Sequence, residues 1–171
     1  MPARRQPLTP GDLSSRFRVY KAGLLSAFGH EHEIRAPVQN GRFDENKNTV
    51  EFVVDARTLR VLDSDVSDKD RADIQSTMLG PKVPDSARFH EIRFQSTEVS
   101  RAGENKWTVH GDLTIHGQTR SVKVNVERLD GRHRGSAQLR QREFGITPVT
   151  VAGGSIKVKD EVRVEFEIVR K

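Results

Sequence analysis

The chain contains no cysteine, so disulfides and thiolate metal sites are excluded. It has no run of 18 apolar residues, the length a membrane-spanning helix needs, so no integral membrane segment is expected. The opening MPARRQPLTPGDLSS starts basic but carries no apolar run behind it, unlike a secretory signal peptide. As written, the chain is expected to be cytoplasmic. Catalytic signatures are also missing: there is no G-x-S-x-G, H-E-x-x-H, P-loop or G-x-G-x-x-G. The run His30-Glu31-His32-Glu33 has the wrong spacing for a metalloprotease and falls in a strand-like stretch. Asp63, Asp65, Asp68, Asp70 and Asp73 lack the mid-loop glycine and terminal glutamate of an EF-hand, and their expected role is helix N-terminal charge. No catalytic residue is assigned, no cofactor is required, and an enzyme is not expected.

Lysine and arginine number 29 against 24 acidic residues, a net charge of +5. These basic residues are dispersed through strand-like segments among Asp and Glu, as on a solvated outer face. With no recognised nucleic-acid motif either, nucleic acid is not an expected partner.

What the chain does have is alternation. Trp107, Val109, Gly111, Leu113 and Ile115 occupy odd positions, with Thr108, His110, Asp112 and Thr114 between them. After His116-Gly117 the pattern resumes, with Val122, Val124 and Val126 against Ser121, Lys123 and Asn125. Period two marks a half-buried strand, and two such runs around a short glycine turn make a hairpin. A two-residue turn sets Ile115 opposite Gln118, Gly111 opposite Val122, Val109 opposite Val124 and Trp107 opposite Val126. The apolar faces then coincide. His116 belongs in the turn because histidine tolerates positive φ better than most residues.

The same reading organises the rest. Residues 1–12 are aperiodic and form an expected flexible tail, with one barrel domain over 13–171. Strands are expected over Arg16–Leu25, His30–Pro37, Thr49–Ala56, Arg88–Val99, Arg134–Arg142 and Ile156–Ile168. Asn40-Gly41, Glu45–Asn48 and Asp130-Gly131 read as turns, and His133 as a loop residue. The period changes once: Ser67 and Asp70 form a capping-box pattern, Ile74 and Met78 stand four apart, and Gly80-Pro81 ends a helix over 67–79. The expected fold is all-β, an eight-stranded antiparallel barrel with one short helix, closed to remove its edges.

Several of these segments carry a family pattern. GDLTIHGQT at 111–119 resembles the hallmark hairpin of the YceI-like family. SDKDRADIQSTML at 67–79, followed by ARFHEIRFQST, resembles the family's helix and next strand. Phe144-Gly145-Ile146 and DEVRVEFEI at 160–168 resemble its carboxyl end. The resemblance covers roughly residues 15 to 169 and implies a lipocalin-like barrel with a long apolar tunnel. Some family members bind polyisoprenoids, such as isoprenoid quinones or prenyl phosphates, and many are periplasmic. Two departures stand out. The sequence as written shows no leader of the kind exported members carry. Its histidines also differ, with His90-Glu91 in place of the common Tyr-Pro before Ile92 and GHEHEI at 29–34 richer in histidine than usual.

The resemblance implies a carrier or binder of a long apolar ligand, with a bound isoprenoid lipid as the expected occupant. The ligand-facing positions expected from alternation are Phe17 and Val19; His32 and Ile34; Val50, Phe52 and Val54; and His90, Ile92 and Phe94. Trp107, Val109 and Leu113, then Val122 and Val124, then Val164 and Phe166 continue the rows, joined by Met78 and Phe144. Expected partners are an apolar small molecule or lipid, with a homodimer left open. Histidine supplies the alternative reading. His30 and His32, two apart on a strand, share a face about 6.5–7 Å apart. With His90 they form a candidate metal set inside the barrel for a metal-dependent enzyme or sensor.

Overall fold

The computed structural model describes residues 13–21, 32–44, 47–81, 83, 85–148, 150–151, 156–157 and 160–170. Side chains are described over 33–41, 47–81, 83, 85–148 and 160–167. The first strands are β1 (Leu13–Lys21), β2 (His32–Arg35), β3 (Val38–Asp44), β4 (Thr49–Asp55) and β5 (Arg60–Val61). Helix α1 (Asp68–Leu79) follows, then β6 (Glu91–Gly103), β7 (Lys106–Ile115), β8 (Gln118–Leu129) and β9 (Arg132–Arg140). The chain ends with β10 (Thr150–Val151), β11 (Ile156–Lys157) and β12 (Glu161–Arg170).

The β7–β8 hairpin adopts the register counted from its turn. Ile115 faces Gln118, Gly111 faces Val122, Val109 faces Val124 and Trp107 faces Val126. His116 and Gly117 both have positive φ, 53° and 68°, the backbone that twists a two-residue turn to match its strands. Asp130-Gly131 repeats the device between β8 and β9, with φ of 49° and 74°.

The strands form one antiparallel sheet in the order β3-β4-β6-β7-β8-β9-β12-β1-β2-β5, curled into a half-barrel, with β10–β11 a separate ribbon. The all-β class and the single helix are as expected, while the main sheet holds ten strands rather than eight. Three local features account for the difference. Ala36-Pro37 separates β2 from β3, because proline cannot donate to a ladder. Asn40-Gly41 lies inside β3, where a register shift between Val38 and Asn40 absorbs the irregularity as a bulge; the reversal itself falls just before Thr49. Arg60–Val61 supply the short strand β5, which is followed by an inverted pair: Leu62 is exposed while Asp63 is buried. Asp63 is accommodated because its Oδ1 accepts from the Glu33 backbone N–H at 2.7 Å. The tail expected over 1–12 lies outside the described residues.

Helix α1 starts at its expected cap, where Ser67 Oγ accepts from Asp70 N–H at 3.1 Å and donates to Asp70 Oδ2 at 2.6 Å. None of its residues is fully buried. It covers the β5 edge through one carboxamide: Gln75 Oε1 accepts from Val61 N–H and Gln75 Nε2 donates to Leu59 O, both at 2.8 Å. A side chain thus substitutes for the next strand, one way of blunting an exposed edge.

Candidate functional site

The inward rows of the central strands meet in two clusters. One buries Ala36, Val54 and Leu59, with Ile34, Val38, Phe52, Met78, Leu79 and Ile92 half-buried against it. The other buries Phe94, Val109 and Val124, surrounded by half-buried Val50, Phe52, Val99, Trp107, Leu113, Val122, Val126, Ala137 and Phe166. Phe52 belongs to both, its ring stacked on Phe94 with centroids 5.4 Å apart. The apolar concave face therefore has a small buried centre and a broad half-buried surround. From Trp107 to Leu113 it runs about 20 Å along β7, at roughly 3.4 Å per residue.

Two glycines shape this face. The Phe94 ring lies across Gly111: a Cβ there would come within 2.5 Å of Phe94 Cζ and 2.6 Å of the Gln95 carbonyl oxygen. The Phe166 ring lies across Gly135, its cross-strand partner, where an added Cβ would sit 2.6 Å from Cε2 and closer still to Cζ and Cε1. Missing side chains let the rings lie flat on the sheet, so the wall stays apolar without bulk above it.

Mid-face, half-buried Ser96 faces Gly111 and its Oγ accepts from Val50 N–H at 2.8 Å, while charged groups stand at the ends. Arg120 faces Leu113 across the hairpin and so shares the inward parity, exposed beyond the apolar rows. Its guanidinium donates to the Thr119 carbonyl at 2.6 Å. His133, expected in a loop, instead lies in β9, its ring 6.2 Å from that of Trp107. At the end of β4, buried Asp55 accepts from Arg57 Nε at 2.9 Å and Nη2 at 2.7 Å. The Arg57 side-chain hydrogen bonds outweigh the effect of burial and hold the Asp55 carboxyl at about 2.

Most expected ligand-facing residues are gathered by the fold. Ile34, Val50, Phe52, Val54, Met78, Ile92, Phe94, Trp107, Val109, Leu113, Val122, Val124 and Phe166 all fall in the two clusters. Val164 is half-buried on β12, opposite Ala137. Phe144 is 2% exposed, but it sits beyond the rows in the 3-10 turn Gln141–Phe144. The side chains of Phe17, Val19 and His32 lie outside the described residues; the register sets Phe17 between Phe166 and Ile34, and Val19 between Val164 and His32.

The histidine set is not assembled by what is described. His90, expected to point inward, is exposed just before β6, and its Nδ1 is hydrogen-bonded to the Ser86 carbonyl at 2.7 Å. His30 lies outside the described residues. Among the described residues no three metal-ligating side chains come together. Sequence reasoning also missed what His116 does besides turning. Its Nδ1 donates to the Phe144 carbonyl at 3.0 Å, and its ring packs edge-on against Phe89 at 4.7 Å. Leu59, Val38, Leu79 and Val99 were missed as lining; Leu59 and Val61 do alternate with exposed Arg60, but the apolar-out, acidic-in pair at 62–63 hid the strand.

Comparison with known proteins agrees with this geometry. Residues 10–170 match the YceI-like domain family. A UPF0312 protein of Vibrio cholerae is 30% identical over 141 residues, covering 73% of this chain and 72% of its own. Another from Vibrio vulnificus is 29% identical over 133 residues, covering 72% and 66%. Among solved structures, Burkholderia cenocepacia BcnA is similar in fold, with a TM-score of 0.66 at 22% identity over 92% of this chain and 96% of that one. The Campylobacter jejuni YCEI protein is similar with a TM-score of 0.55 at 11% identity, over 90% and 84%. The chain belongs to the YceI-like domain family.

Proposed function

We propose that the protein binds one long apolar molecule against the concave face, without catalysis, and that the ligand is an isoprenoid with a polar head, of the quinone or prenyl phosphate type. One observation carries this reading. Phe52, Trp107, Leu113, Val122 and Phe166 ring a small buried centre yet remain half-buried themselves. A solid core would bury them, whereas a bound chain would complete their burial. Each 100 Å² of apolar surface newly covered is worth about 2.5 kcal/mol before association costs are subtracted. Arg120 stands at the hairpin end of the same face, where a phosphate oxygen would accept from its guanidinium.

Trp107 is the only tryptophan in the chain and lines the face, so it reports binding directly. Titration with a long-chain prenol and with its phosphate should each give a saturable change in Trp107 emission. Leu113→Asp should abolish both responses. Arg120→Gln should weaken the phosphate roughly five- to tenfold, about 1–1.4 kcal/mol for one exposed charge-assisted contact, and leave the alcohol unchanged. No saturable response from either compound would refute the reading.

A further inference from the structure

The outer face of the sheet carries arginines where a ladder ordinarily alternates charge. Arg134 faces Glu167, Glu167 faces Arg16, Arg16 faces Arg35, and Arg35 faces Arg60, in one row across β9, β12, β1, β2 and β5. At the usual interstrand spacing of about 4.8 Å the row spans about 19 Å. Within these five strands Glu167 is the row's one acid and is already shared, accepting from Arg132 Nη1 at 2.9 Å and Arg134 Nε at 3.1 Å. On β8 the row continues with Glu127, which faces Arg134 and pairs with Lys106, so charge alternates up to Arg16 and fails only over Arg16, Arg35 and Arg60. Arg35 and Arg60 are exposed, and the hydrogen bonds of the Arg60 guanidinium go to the carbonyls of Arg57 and Leu59, not to a carboxylate. The parallel row two residues away follows the ordinary rule: Glu165 faces Arg18, and Arg18 faces Glu33. Like charges directly opposite one another destabilise a ladder, so the run Arg16, Arg35, Arg60 weakens the sheet unless an anion lies over it.

We propose that this arginine row docks the protein on an anionic membrane surface, with headgroup phosphate oxygens accepting from the guanidinium N–H groups. It rests on the reading of the concave face, since a carrier of a long apolar molecule must meet the lipid in which that molecule resides. Charge complementarity points to a surface, because Arg134, Arg35 and Arg60 are exposed and the register spreads the row over five strands rather than folding it into a pocket. Among the described outer side chains of these strands none is aromatic, so those offer a nucleic acid phosphate contacts without a stacking platform. The register sets Tyr20, whose side chain lies outside the described residues, on the same parity, opposite Arg163.

The test is co-sedimentation of the full chain with phosphatidylcholine vesicles, with and without phosphatidylglycerol, at about 0.1 M salt, where the Debye length is about 10 Å. The parent should bind only the anionic vesicles. Arg35→Glu removes one positive charge and adds a negative one; at about fivefold per charge near such a surface, binding should fall roughly twenty-five-fold. The same substitution places an acid between Arg16 and Arg60, so its Tm should rise, an effect opposite to that of structural damage. Lys123→Glu, an equal charge change on exposed outer β8, should alter binding by no more than about threefold, being largely screened from the row. Docking is overturned if Arg35→Glu binds like the parent, if Lys123→Glu loses as much, or if the parent binds duplex DNA but not anionic vesicles. Trp107 emission with the prenol in vesicle-free solution keeps the two readings apart, since parent and Arg35→Glu should respond alike. A lost Trp107 response in both, with vesicle binding intact, would refute the concave-face reading and leave the docking surface standing.

Discussion

Replacing Gly111 by alanine tests how the concave wall is built. The new methyl would meet Phe94 Cζ at 2.5 Å, Phe94 Cε2 at 2.7 Å and the Gln95 carbonyl oxygen at 2.6 Å. Real Cβ atoms do not approach heavy atoms that closely, so something must move. The ring can swing away, but Phe94 is 4% exposed at the centre of its cluster, and removing it forfeits about 1.5–3 kcal/mol of burial. The carbonyl belongs to β6 backbone paired to β7, with Gln95 opposite Asp112, and moving it strains the ladder by a further 1–3 kcal/mol, roughly the penalty of overpacking. The expected loss is about 3–4 kcal/mol, a large fraction of the roughly 5–15 kcal/mol that holds a typical domain together. Urea unfolding followed by Trp107 emission reads it as a midpoint lowered by about 1.5–2 M, taking m near 2 kcal/mol per M. Gly135→Ala is the internal comparison. Its contacts are closer, yet all lie on the Phe166 ring, which is half-buried and can rotate toward the open face. Its loss should be nearer 1 kcal/mol, so Gly111 outranks Gly135 despite the longer distances. Equal losses, or a Gly111→Ala loss below about 0.5 kcal/mol, would refute the distinction between a fixed backbone oxygen and a movable ring.

Other consequences follow from single contacts. Gln75→Ala removes both hydrogen bonds on the β5 edge and should lower stability by about 1–3 kcal/mol in thermal melts, with more aggregation on light scattering as that edge opens. His116→Asn keeps a residue tolerant of φ 53° but loses the Phe144 and Phe89 contacts, for about 1–2 kcal/mol; a wild-type melting curve would show that the turn is not tied to the 141–144 segment. Asp55 titrates in the fold at about 2, below its ordinary value of 3.8. Its stabilisation is therefore fully present above the unfolded value and disappears as pH falls through the folded one. At face value the shift is worth about 2 kcal/mol. With Arg57 58% exposed, solvent screening leaves about 1 kcal/mol. Asp55→Asn should thus be less stable than the parent at neutral pH, with the gap closing near pH 2; a constant gap across that window would remove the ion pair as its source.

Alternation and turn chemistry made the hairpin legible to the residue, because a two-residue turn followed by period-two rows admits one register with both apolar faces inward. Ser67 and Asp70 likewise announced the helix start through local chemistry, since a cap is satisfied within its own turn. Most of the concave face was legible too, as the same parity carried along each strand. What the sequence alone could not decide was how far the inner rows close on one another. Apolar inward residues suit a filled barrel and a hollow one equally, and only the curled sheet leaves Phe52, Trp107 and Phe166 half-covered. His90 escaped the alternation because it precedes β6 and turns to the Ser86 carbonyl. The arginine row was hidden for the same physical reason: Arg134, Arg16, Arg35 and Arg60 are far apart along the chain, and only long-range strand pairing sets them side by side.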